Sequence, residues 1–301
     1  GGPLPPGLPQ PTETIDLWPD GAPGMPEPPP VETVEERSTE AKLTDRAVLG
    51  ISRPRMAIFR PRLSNGAGVM ITPGGGYHHV VIDKEGYEIG RWLAARSYTV
   101  FVLFYRLPGE GWAAGPDVAL SDAQRAMRLI RHKAIDYGVD PRRVGAMGFS
   151  AGGHVCADLA TRFAAHVYDP VDEADTLSAR PYVAAPIYPV ISMRRDIAHA
   201  GSRELLIGAD AGPDLERAHS PDESVPDNAP PCFLVHAEDD DVVPVENSVR
   251  FQEALRAHGI PVEMHLFANG GHGFGLRKAF GKPVGIWPEL FANWAHSEGL
   301  A

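Results

Sequence analysis

A chain of 301 residues, 43% apolar and 22% charged, has room for one large domain, as an α/β fold of this length can be, or for two small ones, and is not a disordered tail, a coiled coil or a disulfide-dense miniprotein. A net charge of −11 argues against nucleic acid as a partner, because an acidic surface repels phosphates. No apolar run approaches the roughly 18 residues of a membrane span, the strongest being Val100–Phe104. The 32 glycines and 30 prolines commit many residues to turns and loops, where sites are built. Cys156 and Cys232 lie far apart inside apolar stretches and read as buried small hydrophobes.

Eleven prolines fall within residues 1–30, where periodicity is almost absent. Residues 1–50 therefore read as a proline-rich arm, either disordered or wrapped along the domain. Ile15, Leu17 and Trp18 favour wrapping, since such side chains are unusual in a solvated linker. From residue 51 onward strand and helix signals alternate. Strands are expected at Met56–Phe59, Gly68–Ile71, Thr99–Tyr105, Val144–Phe149, Val183–Tyr188, Cys232–His236 and Val262–Phe267. Helices are expected at Glu88–Arg96, Asp117–Tyr137 (stopped by Gly138), Ala151 to about Ala164, Glu246–His258 and Pro288–Ser297. This cadence implies an α/β fold, a mostly parallel sheet with helices on both faces. Residues 193–228 lack strong periodicity between two strands and read as a small lid or rim, where substrate selection would sit.

Gly148-Phe149-Ser150-Ala151-Gly152 fits the G-x-S-x-G pattern in its required setting, after an apolar strand and opening a helix of small residues. A serine needs a base to become nucleophilic. His272, embedded in Gly270-Gly271-His272-Gly273-Phe274-Gly275, gains little from packing and is the candidate base. The acid that orients it is expected between them, after a strand, and Asp239, Asp240 and Asp241 all qualify. Asp240 is preferred for its position just past the strand end. The order Ser150, Asp240, His272 is that of α/β-hydrolases. Pro73-Gly74-Gly75-Gly76-Tyr77 ends a strand with backbone able to approach a ligand, so Gly75, Gly76 and Ala151 are the expected oxyanion donors.

Together, Pro73–Tyr77, Leu103-Phe104-Tyr105-Arg106-Leu107, Gly148–Gly153, Val243–Ser248 and Gly270–Gly275 resemble the sugar-ester esterase branch of the α/β-hydrolases. That group holds acetyl xylan esterase-like and bifunctional acetyl/feruloyl esterase-like proteins. The resemblance runs from about Leu17 to the C-terminus, and includes Leu17-Trp18-Pro19 and Asp83-Lys84-Glu85-Gly86. It implies a nucleophile at Ser150, an acid at Asp240, a base at His272 and an oxyanion hole at Gly75, Gly76 and Ala151. Related esterases often carry His before the triple glycine; Pro73 stands there, so any bracing bond from such a His is absent or replaced.

The function expected is hydrolysis of carboxylic esters through an acyl-enzyme, with short acyl esters such as acetylated carbohydrates as substrates. Tyr77, His78 and Trp287 are candidates for the substrate wall, with loop packing or helix anchoring as plainer roles. Arg106 either braces the oxyanion loop or pairs with Asp122 or Glu85, and His154 reads as a packed helix residue. No cofactor is expected, and no metal: no His/Cys cluster has zinc spacing, and adjacency does not place His78 and His79 on one face. A prolyl-oligopeptidase-type peptidase and a non-catalytic binding protein of the same fold are the alternatives. The proline-rich start without Met and the resemblance give an expected secreted or periplasmic location, otherwise cytoplasmic.

Overall fold

The computed structural model describes residues 9–301. Its central sheet has eight strands: β1 (Glu13–Asp16), β4 (Arg55–Phe59), β5 (Gly68–Thr72), β7 (Thr99–Phe104), β8 (Val144–Phe149), β9 (Ala184–Ile187), β10 (Cys232–Ala237) and β11 (Val262–Phe267). Their order is β1-β4-β7-β5-β8-β9-β10-β11. From β7 to β11 neighbouring strands run parallel, whereas β1, β4 and β7 pair antiparallel. β2 (Thr33–Glu36), β3 (Arg46–Leu49) and β6 (Val80–Val81) form a second, antiparallel sheet.

Side-chain alternation along β8 shows how both faces are covered. Met147 and Phe149 point to one face, where Met147 lines a small gap with Ile89 and Leu93 of α1 (Glu88–Ala94) and Phe291 of α7 (Trp287–Ser297). The opposite face belongs to α3 (Ala151–Arg162), so close that a Cβ on Gly148 would lie 2.7 Å from Cys156 Cβ. α2 (Val118–His132) packs against α3, and its Val118, Ala119, Ala123, Ala126, Met127 and Ile130 are buried. The expected helix Asp117–Tyr137 is shorter than its pattern: α2 ends at His132, and Ala134–Tyr137 tightens into a 3-10 turn before Gly138, whose φ is +66°. No helix among the described residues is long and apolar enough to cross a membrane.

The arm is not irregular throughout. Apart from residues 1–8, which lie outside the described residues, it supplies β1, β2 and β3, so residues 13–49 are built into both sheets. β2 has no apolar stripe, with three of its four residues exposed, which is why alternation did not disclose it. Leu17 and Trp18 are buried, and Trp18 stacks edge-on against Tyr168 at 5.0 Å. Its indole N–H donates to Asp122 at 2.9 Å, and Arg125 donates to the Leu17 carbonyl at 2.8 Å. The arm therefore wraps the domain, held by hydrogen bonds as well as apolar burial.

Candidate active site

β8 runs directly into α3 through Ser150, which has φ 56° and ψ −119°. Such backbone costs about 1–3 kcal/mol for a residue with a Cβ and persists only where the surroundings fix it. Here they do. A Cβ on Gly148 would lie 2.1 Å from the Gly152 carbonyl oxygen, and one on Gly152 2.1 Å from that of Thr72. Both glycines of the motif are thus required by closeness, and the turn presents Ser150 at the carboxyl edge of the sheet.

Two later loops deliver the partners. Ser150 Oγ lies 2.8 Å from His272 Nε2, and His272 Nδ1 lies 2.7 Å from Asp240 Oδ2. Asp240 follows β10; its other oxygen accepts the amides of Val242 (2.9 Å) and Val243 (2.8 Å). His236 Nε2 stands 3.3 Å from Asp240 Oδ2 and bonds the Val243 carbonyl at 2.9 Å, so β10 itself buttresses the acid. Burial alone would raise the Asp240 carboxyl, but hydrogen bonds from His236, His272 and the Val243 amide hold it well below the usual carboxylate range. Of the neighbours, Asp239 accepts the Gly271 amide at 2.8 Å, while Asp241 is exposed. The structure therefore singles out Asp240 from the three.

The Pro73–Gly76 loop lies against this row: a Cβ on Gly74 would sit 3.0 Å from Ser150 Cβ. Gly75 and Gly76 have φ +134° and +66°, and a Cβ on Gly75 would collide with the His79 carbonyl at 2.1 Å. The bracing that a His at position 73 would provide comes from elsewhere. Tyr105 Oη donates to the Pro73 carbonyl at 2.5 Å, and Gly74 N–H donates to Glu85 Oε1 at 3.1 Å. With the Gly74 amide taken, those of Gly75 and Gly76 have no hydrogen bond among the described residues. The Ala151 amide belongs to the first turn of α3, where no intrahelical acceptor exists.

Glu85 reaches further. Its Oε2 accepts the Tyr188 hydroxyl at 2.5 Å, and that hydroxyl accepts the Gly275 amide at 3.2 Å. Tyr188, at φ 35°, also stacks edge-on against His272, with centroids 5.1 Å apart. One buried carboxylate and one phenol thus link the oxyanion-type loop to the histidine loop. Burial keeps the Tyr188 phenol protonated, as donation to Glu85 requires. Neither was singled out for this from sequence. The signal was present for Tyr188, which stands just past the carboxyl end of a parallel strand, as Ser150 does. Arg106 pairs with Asp122 at 2.8 Å, leaving Glu85 free for this linkage.

Ser150 and His272 open into a cavity of about 410 Å³ that Gly75, Gly76 and His78 also line. Tyr77 and Trp287 do not line it, which corrects their expected place on the substrate wall. Tyr77 is buried by the turn at its positive φ of 61° and bonds His154 Nδ1 at 2.6 Å. Trp287 is buried against Phe149, and its indole donates to the Gly275 carbonyl at 3.0 Å, so it supports the histidine loop from below. The 193–228 segment contributes His199, Gly201 and Leu205 from α4 (Ala200–Ile207) and the residue before it. Burial lowers the His199 imidazole pKa, and the nearby His272 lowers it further.

Contrary to the expectation from adjacency, the turn brings the His78 and His79 rings together, with centroids 4.9 Å apart. Glu35 joins them, the candidate ligand atoms all lying within 4.8 Å of one another. A tetrahedral zinc with bonds near 2.1 Å needs ligand atoms about 3.4 Å apart. Burial lowers the His79 pKa, and the Arg37 guanidinium, an unfavourable neighbour for a cation, lowers it further.

Parallel strands that deliver serine, carboxylate and imidazole in that chain order to one sheet edge are the build of an α/β hydrolase. The chain belongs to the BD-FAE family, whose model matches residues 57–255. It is 36% identical over 230 residues to endo-1,4-beta-xylanase B of Butyrivibrio fibrisolvens, covering 76% of this chain and 34% of that protein. It is 29% identical over 265 residues to the acetylxylan esterase of Xylanibacter ruminicola, covering 86% and 52%. The chain thus spans about a third and about half of these two relatives. The solved acetyl ester-xyloside bifunctional hydrolase from Caldicellulosiruptor lactoaceticus is 32% identical, with a TM-score of 0.79, covering 98% of this chain and 99% of that one.

Proposed function

We propose that the protein is a serine hydrolase of carboxylic esters, acting through an acyl-enzyme on short acyl esters, acetylated carbohydrates foremost. The observation that carries this is the row Ser150 Oγ–His272 Nε2–Asp240 Oδ2, at 2.8 and 2.7 Å, opening into the cavity. Ser150 Oγ attacks the ester carbonyl while His272 Nε2 takes its proton. Asp240 accepts the Nδ1–H, fixing the tautomer and stabilising the imidazolium. The amides of Gly75, Gly76 and Ala151 receive the oxyanion, each worth about 2.7–4 kcal/mol of barrier. His272 then protonates the departing alcohol, and water repeats the cycle on the acyl-serine. Support for the acyl and sugar comes from the names of the relatives, an acetylxylan esterase and an acetyl ester-xyloside hydrolase among them. Incubation with p-nitrophenyl acetate and with a fluorophosphonate probe tests the proposal. Turnover and labelling confined to Ser150 are expected; an unlabelled, inactive protein overturns it.

A further inference from the structure

The cavity wall carries a charge that this chemistry leaves unused. Lys84 lines the cavity yet is only 7% exposed, and its ammonium makes no hydrogen bond or ion pair with any described residue. Its stem is buried while the unpaired ammonium is left at the cavity wall, able to receive an anion that enters there. Burial accordingly lowers the Lys84 pKa, although the neighbouring Glu85 opposes the shift.

No carboxylate among the described residues pairs with Lys84. Glu85 is the carboxylate on the cavity wall, and both its oxygens are engaged, by the Gly74 amide and the Tyr188 hydroxyl. Arg37 is a second cation on the same wall, paired with Asp45 at 3.0 Å, beside His78, His79, His199 and His272. A protein of net charge −11 thus places two cations, Lys84 unpaired, on the wall beside its reactive serine. An unpaired charge in a cleft raises the local concentration of ligands of opposite sign.

Position selects which part of the ester carries the charge. A Cβ on Gly273, the residue after His272, would lie 3.3 Å from Lys84 Nζ. The imidazole hands its proton to the departing alcohol, so the alcohol portion lies on the His272 side of the cavity, where Lys84 stands. We propose that Lys84, with Arg37 on the same wall, is a subsite for a carboxylate on the alcohol portion. The preferred substrates are then acyl esters of acidic carbohydrates, those bearing a uronic acid. This rests on the ester-hydrolase reading above.

The test pairs an acetylated xylo-oligosaccharide carrying a glucuronate branch with the same oligosaccharide lacking it. The wild-type protein is expected to favour the acidic ester by about tenfold in kcat/KM at low salt, a preference that shrinks as salt screens it. In Lys84→Gln the ratio of the two falls to about one, and Lys84→Arg restores most of it. Equal rates in the wild type, or a preference that survives Lys84→Gln, overturn the proposal. Calorimetric titration of the Ser150→Ala protein with the uncleaved pair gives a second readout that needs no turnover and no folded Lys84 variant. There the acidic oligosaccharide is expected to bind about tenfold more tightly, and equal affinity overturns the subsite. Failure of the ester-hydrolase reading shows separately, as a wild type that neither cleaves p-nitrophenyl acetate nor takes up the fluorophosphonate probe.

Discussion

Two buried aspartates anchor opposite halves of the molecule and end in different roles. Asp122, on α2, accepts the Arg106 backbone amide at 2.8 Å, the Arg106 guanidinium at 2.8–3.1 Å and the Trp18 indole at 2.9 Å. Every group around it is buried, and the result is a clasp holding the arm to the domain. Asp240 is equally enclosed, with its side chain 0% exposed, but its partner His272 keeps 16% exposure and a second nitrogen aimed at Ser150. The difference lies in the open valence of the partner. A guanidinium is a permanent donor, so its pairing with a carboxylate ends there, whereas an imidazole can pass a proton between the serine and a substrate.

Ser150→Ala is the harshest test of the Asp240 side, with turnover of p-nitrophenyl acetate falling by about 10⁶-fold while the thermal transition stays near that of the wild type. Retention of a tenth of the rate would dismiss Ser150 as nucleophile. Asp240→Asn keeps the shape but loses the charge, and kcat is expected to drop by about 10⁴-fold. Asp241→Asn, which touches nothing in the site, should stay within about twofold; the opposite ranking would transfer the orienting role.

On the Asp122 side the loss falls on stability. Asp122→Ala strands the Arg106 guanidinium and the Trp18 indole in the interior, at a cost of about 3–5 kcal/mol in unfolding free energy measured in urea. An unchanged midpoint would refute the clasp. Smaller is Tyr188→Phe, which removes the hydroxyl joining Glu85 to the Gly275 amide and leaves one Glu85 oxygen unpaired. A cost of about 1–3 kcal/mol is expected, read as a roughly tenfold to hundredfold loss in kcat with KM little changed. Equal kcat in wild type and variant would reduce the linkage to packing.

Acid provides the mildest discrimination. The Asp240 carboxyl is held below its unfolded value, so its contribution to stability is complete above about pH 4 and is lost as pH falls through the lower folded value. Thermal melts from about pH 5 to about pH 2 should fall less steeply for Asp240→Asn than for the wild type. Parallel slopes would mean that the hydrogen bonds from His236 and His272 do not favour the ionised form.

The strand-turn-helix around Ser150 was legible because its demands are local: a left-handed serine between close-packed segments tolerates only small neighbours at 148 and 152. His272 was legible because a histidine among glycines has no packing role of its own. Tyr77 and Trp287 were placed on the wrong side of the wall for a complementary reason. Position beside a functional loop does not fix which way a side chain turns, and here the Tyr77 turn and the Phe149 contact send both inward.

What the chain order by itself determined was the alternation of apolar strands and helices, the serine turn, and the succession Ser150, Asp240, His272, each residue recognised from the few that flank it. The hydrogen bonds that hold Asp240, the bridge from Glu85 through Tyr188, the isolated ammonium of Lys84 and the incorporation of residues 13–49 into the sheets were decided only in three dimensions. Each depends on contacts between segments far apart in sequence, where distance and burial, rather than residue type, select the partner.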